Sequence, residues 1–121
     1  MGAADDTAIT IGDGTFIGSG CEFNIVSRLT TGPACLIASG TRFIDHNHGM
    51  DLGPGTMKDQ GEIIAPITLG SDVWIGANCI ILKGVTIGDG AILAAGSVLT
   101  TSVPPNAIFG GVPARLLRYR R

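Results

Sequence analysis

From Leu69 the chain repeats in sixes through six successive hexads, LGSDVW, IGANCI, ILKGVT, IGDGAI, LAAGSV and LTTSVP. Their first positions are Leu69, Ile75, Ile81, Ile87, Leu93 and Leu99, all bulky aliphatics. Their fifth positions are Val73, Cys79, Val85, Ala91, Ser97 and Val103, all small or β-branched. A period of six is neither the 3.6 of an amphipathic helix nor the 2 of a half-buried strand. It suits a short strand followed by a bend, three of which close one turn of a solenoid. Each coil then buries the aliphatics of its neighbour, so stability comes from stacking and the ends need caps. Glycine or another small residue usually stands second, which predicts a bend with positive φ there.

The N-terminal half carries the same pattern with interruptions. IGDGTF, IGSGCE and FNIVSR start at Ile11, Ile17 and Phe23; after a two-residue slip, TGPACL and IASGTR start at Thr31 and Ile37, and Phe43 opens the next hexad. Thr31 is the one polar first position. Cys21, Cys35 and Cys79 all fall fifth, where a cysteine acts as a small buried hydrophobe. Their odd number, wide spacing and lack of any CxxC argue against a disulfide framework or a zinc knuckle.

Composition supports the solenoid. Nineteen glycines would suggest disorder in a polar chain, but 45% of the 121 residues are hydrophobic, so the glycines punctuate a regular core. One domain, residues 1–121, is expected from the length. A net charge of −2 without a basic stripe argues against nucleic acid as a partner class. The cationic cluster is the tail, Arg115, Arg118, Arg120 and Arg121, which can serve a small anionic ligand. No apolar run approaches the roughly 18 residues of a membrane span. The acidic start MGAADDTAIT lacks a hydrophobic signal core, so a cytoplasmic protein is expected. Residues 113–121, with Leu116 and Leu117 among arginines, read as a short C-terminal helical cap.

The repeat residues resemble the hexapeptide-repeat acyltransferase family. The stretch 66–118, PITLGSDVWIGANCIILKGVTIGDGAILAAGSVLTTSVPPNAIFGGVPARLLR, is similar to the C-terminal half of its sugar O-acetyltransferases, including the maltose and galactoside enzymes and those that acetylate capsule and lipopolysaccharide. The resemblance implies an all-β fold, a left-handed parallel β-helix. That handedness comes from the resemblance alone, since parallel crossovers are normally right-handed. It also implies acetyl-coenzyme A as co-substrate, no metal, and a homotrimer with coenzyme A in the groove between neighbouring prisms.

The hexad phase is lost between Phe43 and Leu69, and residues 45–66 read as a protruding loop that holds both histidines, His46 and His48. Insertions in a solenoid fall as loops on one side, and loops on a rigid scaffold commonly carry function. Acetyl transfer from a thioester to a hydroxyl needs a base, donors for the oxyanion and a groove for the long cofactor. Histidine is the natural base. The family's catalytic histidine lies five residues after an inward aliphatic, in a Thr-Ala-Thr-His-like tetrad. Counting from Phe43 lands on His48, with Asp45-His46-Asn47-His48 in place of that tetrad. The departure leaves His46 as a second candidate base, which would otherwise orient His48 or touch the acceptor, and Asp45 could steady either imidazole.

By the same resemblance, the outward Trp74 reads as a wall for acceptor and acetyl group, or as subunit packing. Asn24 loosely matches an acceptor-binding asparagine. The Ala77 backbone N–H is the candidate oxyanion donor, and Ala95, one coil on, would meet the pantetheine arm. Thr100 and Thr101 stand where the family commonly has Thr-Lys, so phosphate binding falls to Arg115 and Arg118, whose guanidinium forks suit it. Gly110, Gly111 and Pro113 would shape the turn beside the adenine.

A metal-dependent hydrolase on this scaffold, the γ-type carbonic anhydrase, needs three histidines across a trimer interface, and two in one loop do not supply them. A non-catalytic hexapeptide-repeat scaffold would need neither a placed histidine nor the arginines of PARLLR. Among transferases a sugar or polysaccharide-related hydroxyl is the leading acceptor, with amino-sugar N-acetylation as the alternative.

Overall fold

A computed structural model describes residues 8–121. The first coil comprises β1 (Ala8–Thr10), β2 (Phe16–Ile17) and β3 (Glu22–Asn24), and the second β4 (Arg28–Thr31), β5 (Leu36–Ile37) and β6 (Arg42–Ile44). The chain then leaves the coil as β7 (His46–His48) and β8 (Glu62–Ile64), with a 3₁₀ turn at Met57–Gln60 between them. It returns as β9 (Ile67–Leu69), β10 (Trp74–Ile75) and β11 (Ile80–Leu82), followed by β12 (Thr86–Ile87), β13 (Ile92–Leu93) and β14 (Val98–Leu99). Val103 bridges to Ile87, and β15 (Ala107–Gly111) and β16 (Ala114–Tyr119) close the end.

Strands of successive coils lie directly over one another and make three parallel sheets, here called A (β1-β4-β9-β12), B (β2-β5-β10-β13-β15-β16) and C (β3-β6-β11-β14). The hexad explains the stacking. Ile75 pairs with Leu93 and Ile81 with Leu99, eighteen residues on, so first-position aliphatics form columns up the interior. From Leu69 to Val103 every first and fifth position is buried. Between the lower coils the Phe23 and Phe43 rings stack at 5.4 Å, nearly parallel. Among the described residues no buried side-chain nitrogen or oxygen lacks a partner. The polar first position Thr31 faces inward, its hydroxyl accepting from the Gly12 N–H and donating to the Gly32 carbonyl. All three cysteines are free thiols, and burial pushes that of Cys79 up in pKa, as a packing role requires.

Three expectations are corrected. The positive φ lies at the fourth position, not the second: Asp72, Asn78, Gly84, Gly90 and Gly96 have φ of 56°, 57°, 77°, 71° and 73°. The second-position glycine answers a different constraint, close approach of the next coil. A Cβ on Gly76 would sit 2.5 Å from the Ala95 nitrogen, and one on Gly88 would sit 2.6 Å from the Pro105 nitrogen. The two-residue slip falls before Leu29, since Leu29 is buried and aligned with Ile9 and Ile67. The extra residues widen the corner between β3 and β4.

The C-terminal cap, residues 113–121, is not a helix. Residues Ala114–Tyr119 form a strand antiparallel to β15, Gly110 opposite Arg115 and Gly111 opposite Ala114. The last coil of a parallel sheet presents a row of unpaired N–H and C=O groups, which a returning strand satisfies and a helix would not. No helix among the described residues is long and apolar enough to cross a membrane.

Replacing Gly88 by alanine should force adjacent coils apart and destabilise the fold by about 1–3 kcal/mol. Denaturant unfolding of Gly88→Ala checks this against Gly96→Ala, whose added Cβ meets nothing within 4 Å and adds only a backbone penalty.

Candidate active site

The excursion begins at a buried carboxylate. At the widened corner three successive backbone N–H groups point at one place, and Asp45 accepts from all of them: Val26 at 2.9 Å, Ser27 at 2.7 Å and Arg28 at 3.0 Å. The Asp45 backbone stays in the coil, its N–H on the Asn24 carbonyl and its own carbonyl receiving the Ala65 N–H. The chain thus leaves after Asp45 and returns at Ala65, and residues 46–64 stand outside the coil. Burial pushes the Asp45 carboxyl pKa up, but bonds from Val26, Ser27, His46 and Arg28 outweigh it and leave the pKa below the usual carboxylate value.

Outside the coil, β7 and β8 form an antiparallel ribbon in which His46 pairs with Ile64, Asn47 with Ile63 and His48 with Glu62. Alternate residues of a strand face opposite sides, so His46, His48, Glu62 and Ile64 share one side and Asn47 and Ile63 the other. On the first side His46 is held at Nδ1, with a second carboxylate farther off at Nε2. Nδ1 lies 3.1 Å from Asp45 Oδ1, and Nε2 lies 3.7 Å from Glu62 Oε2. The His48 side chain is exposed and has no hydrogen-bond partner among the described residues. Asp45 therefore engages His46 and not His48. Because β7 pairs with β8 outside the coil, His48 belongs to none of the coil's columns.

Beyond the ribbon, Gln60 clasps the tip: its Oε1 accepts the Asp51 N–H at 3.0 Å and its Nε2 donates to the Asp51 carbonyl at 2.9 Å. A recess of about 470 Å³ lined by Gly49, Asp51, Leu52, Gly53, Pro54, Gln60 and Ile63 opens there. The Ile63 in its wall belongs to the side away from the histidines. Glu62 and Gln60 escaped sequence reasoning, because only the ribbon pairing brings them to residues fourteen and nine positions earlier.

The other expected residues lie elsewhere on the prism. The outer side of sheet B carries an apolar column in register, Phe16, Leu36, Trp74, Ile92 and Ile108, topped by Arg118. Trp74 is 51% exposed in that column. The equivalent column on sheet A is threonine, with Thr10, Thr30, Thr68 and Thr86 in line. Ala77 and Ala95 stack at the corner between sheets B and C, where the Gly96 N–H donates to the Ala77 carbonyl at 2.8 Å. Ile92, Ile108, Arg118, Arg120 and Arg121 line a second recess of about 300 Å³. Arg120 is tied down, donating to the Gly90 carbonyl at 3.0 Å and facing Asp72 at 3.7 Å. Arg115 and Arg118 are exposed, each reaching only a main-chain carbonyl beside it. Val112 and Pro113 form the turn into β16, with Gly111 ending β15 just before it, while Thr100 and Thr101 are exposed at the corner after β14.

One chain does not bring all these residues together. The ribbon leaves at the corner between sheets C and A, whereas the Trp74 column covers sheet B, the opposite side of the prism. Only Asn24, Asp45, His46 and Glu62 gather at the ribbon's root, with His48 one step out. Among the described residues no group of three His, Cys, Asp or Glu could hold a metal.

Residues 66–101 match the family described as bacterial transferase hexapeptide (six repeats), and residues 8–27 match the hexapeptide repeat of succinyl-transferase. The chain is 35% identical over 115 residues to galactoside O-acetyltransferase of Escherichia coli strain K12, covering 94% of this chain and 45% of that one. It is 39% identical over 112 residues to a probable macrolide acetyltransferase of Lysinibacillus sphaericus, covering 79% and 62%. A solved hexapeptide-repeat-containing acetyltransferase of Vibrio cholerae, complexed with acetyl-coenzyme A, superposes with a TM-score of 0.87 at 39% identity, covering 93% of this chain and 61% of that one. The chain spans about half the length of the curated relatives it matches. It belongs to the hexapeptide-repeat transferases, and its coil is their left-handed parallel β-helix.

Asp45→Asn should cost about 2–4 kcal/mol, since it weakens three bonds to a buried charge. Because the folded-state pKa is depressed, the carboxylate stabilises the fold above its unfolded pKa, and that stability is lost as pH falls below 3.8 through the folded value. Urea unfolding across this window should give a steeper acid loss for the native protein than for Asp45→Asn.

Proposed function

We propose that this chain is an acetyl-coenzyme-A-dependent O-acetyltransferase whose site is shared between copies in a homotrimer. The observation that carries the reading is the divided site: an accessible, unpartnered His48 on one side of the prism, and a Trp74 column ending in Arg118 on the opposite side. Threefold packing sets the ribbon of one copy against sheet B of the next, and coenzyme A lies in the groove between them. Burial of Phe16, Leu36 and Trp74, each about half exposed in one chain, favours such packing.

In this reading His48 is the general base. The competing His46 is tethered at Nδ1 by the buried Asp45 carboxylate and is the less exposed of the two imidazoles, whereas His48 stands free on the ribbon. His48 takes the hydroxyl proton as the acceptor oxygen attacks the thioester carbonyl, forming the new C–O bond and an oxyanion. The Ala77 N–H stabilises that oxyanion; it makes no intrachain bond among the described residues. The C–S bond then breaks, and the imidazolium returns the proton to the sulfur, releasing coenzyme A as the thiol. Ala95, Thr100 and Thr101 line the pantetheine path, Arg115 and Arg118 take the phosphates, and Gly111 and Pro113 border the adenine. Asn24, exposed beside the root of the ribbon, and Trp74 contact the acceptor. A sugar hydroxyl is favoured by the relatives named for galactoside and lipopolysaccharide O-acetylation.

His48→Ala should lower acetyl transfer at least about 100-fold, scored as free thiol release across sugars, nucleotide sugars and amines, with melting and oligomeric mass unchanged. Co-expression of His48→Ala with Trp74→Ala should yield mixed trimers more active than either variant alone. A site contained in one chain would show no such gain.

A further inference from the structure

Glu62 has no part in the transfer step as described, yet it is the residue the ribbon sets directly opposite His48. Directly paired residues on an antiparallel ribbon hold their Cβ atoms about 5 Å apart on the same side. The Glu62 carboxylate is swung to the diagonal neighbour, 3.7 Å from His46 Nε2. That distance suits a charge contact but is too long for a hydrogen bond, so the carboxylate is not locked there. His46 is meanwhile tethered by Asp45 through its other nitrogen at 3.1 Å, and Asp45 is itself fixed by three backbone donors. The result is a row running from a buried, ionised carboxylate through His46 to a half-exposed carboxylate and then to the free imidazole.

We propose that Glu62 is the positioning residue of this site, holding the His48 ring against the ribbon and stabilising the imidazolium that forms when His48 takes the acceptor proton. The proposal rests on His48 being the base. A carboxylate swung toward the imidazolium steadies the charged state through which the proton passes to sulfur. The titratable groups around this pair are Asp45 and His46 at the ribbon's root, and Lys58 and Asp59, both exposed, belong to the turn packed against β7. Only Glu62 shares the histidines' side of the ribbon and stands opposite His48. Its length matters too, because an aspartate there reaches less far across the ribbon.

The test is the pH dependence of kcat/KM for the full chain with acetyl-coenzyme A and its best acceptor. In Glu62→Gln, kcat should fall about tenfold and the acid limb should move to lower pH by about half a unit or more. KM for acetyl-coenzyme A and the melting temperature should hold. Glu62→Asp, which keeps the charge, should leave the acid limb near its native position while kcat falls only in part. An acid limb in Glu62→Gln that superposes on the native one overturns the proposal, as does a loss of melting temperature that accounts for the fall in kcat. His48→Ala separates the two ideas. Activity retained in that variant overturns the base assignment and Glu62's role with it. An inactive His48→Ala beside an unmoved profile in Glu62→Gln overturns the Glu62 role alone.

Discussion

Every part of this molecule depends on coil-over-coil stacking at constant register. A two- or three-residue strand cannot stand alone, and nothing in one hexad buries its own aliphatic. Ile75 is covered only because Ile37 lies beneath it and Leu93 above, each linked to it through the parallel ladder. At Gly76 and Gly88 the contact needs glycine in the second position, since a Cβ there would strike the next coil's backbone. Fourth-position residues turn the corner with positive φ, which Gly allows at no cost and Asp72 and Asn78 tolerate. Period, burial and bend are three consequences of one spacing.

A solenoid so regular can host a site only where the regularity is broken, and the break must be held. Asp45 does the holding. The widened corner below it leaves three N–H groups converging, and a carboxylate at the point of exit satisfies them together. The same residue turns its other face to His46, so the coil's electrostatics reach directly into the ribbon. Fold and chemistry meet at this side chain, which is why its depressed pKa ties acid stability to the geometry of the site.

The ribbon also separates the two imidazoles, of which the sequence put His48 first and kept His46 as a second candidate. His46 is tethered to the buried Asp45, while His48 is exposed. The Trp74 column lies on the far side of the prism, so a single chain keeps it apart from the ribbon. That division follows from the solenoid itself, whose three outer sides differ: an apolar column on sheet B, threonines on sheet A, and a Glu22–Arg42 ion pair on sheet C.

Much of this was legible in the residues. The hexads located every buried column from Leu69 to Val103, because a repeat that must stack writes its inward positions at a fixed interval. The loss of phase after Phe43 located the excursion to within a residue or two. The histidines there were legible as the only imidazoles in the chain. What the sequence could not show is what depends on pairing across distance. The tail reads as an amphipathic helix until one sees that β15 offers it an unsatisfied edge. Glu62 is an ordinary surface acid until antiparallel register sets it opposite His48. Sequence alone determined the repeat, the core and the place of interruption, since these follow from local spacing. Tertiary structure decided which side each polar group faces and which partner it meets, since hydrogen-bond and charge geometry is settled only when distant strands come together.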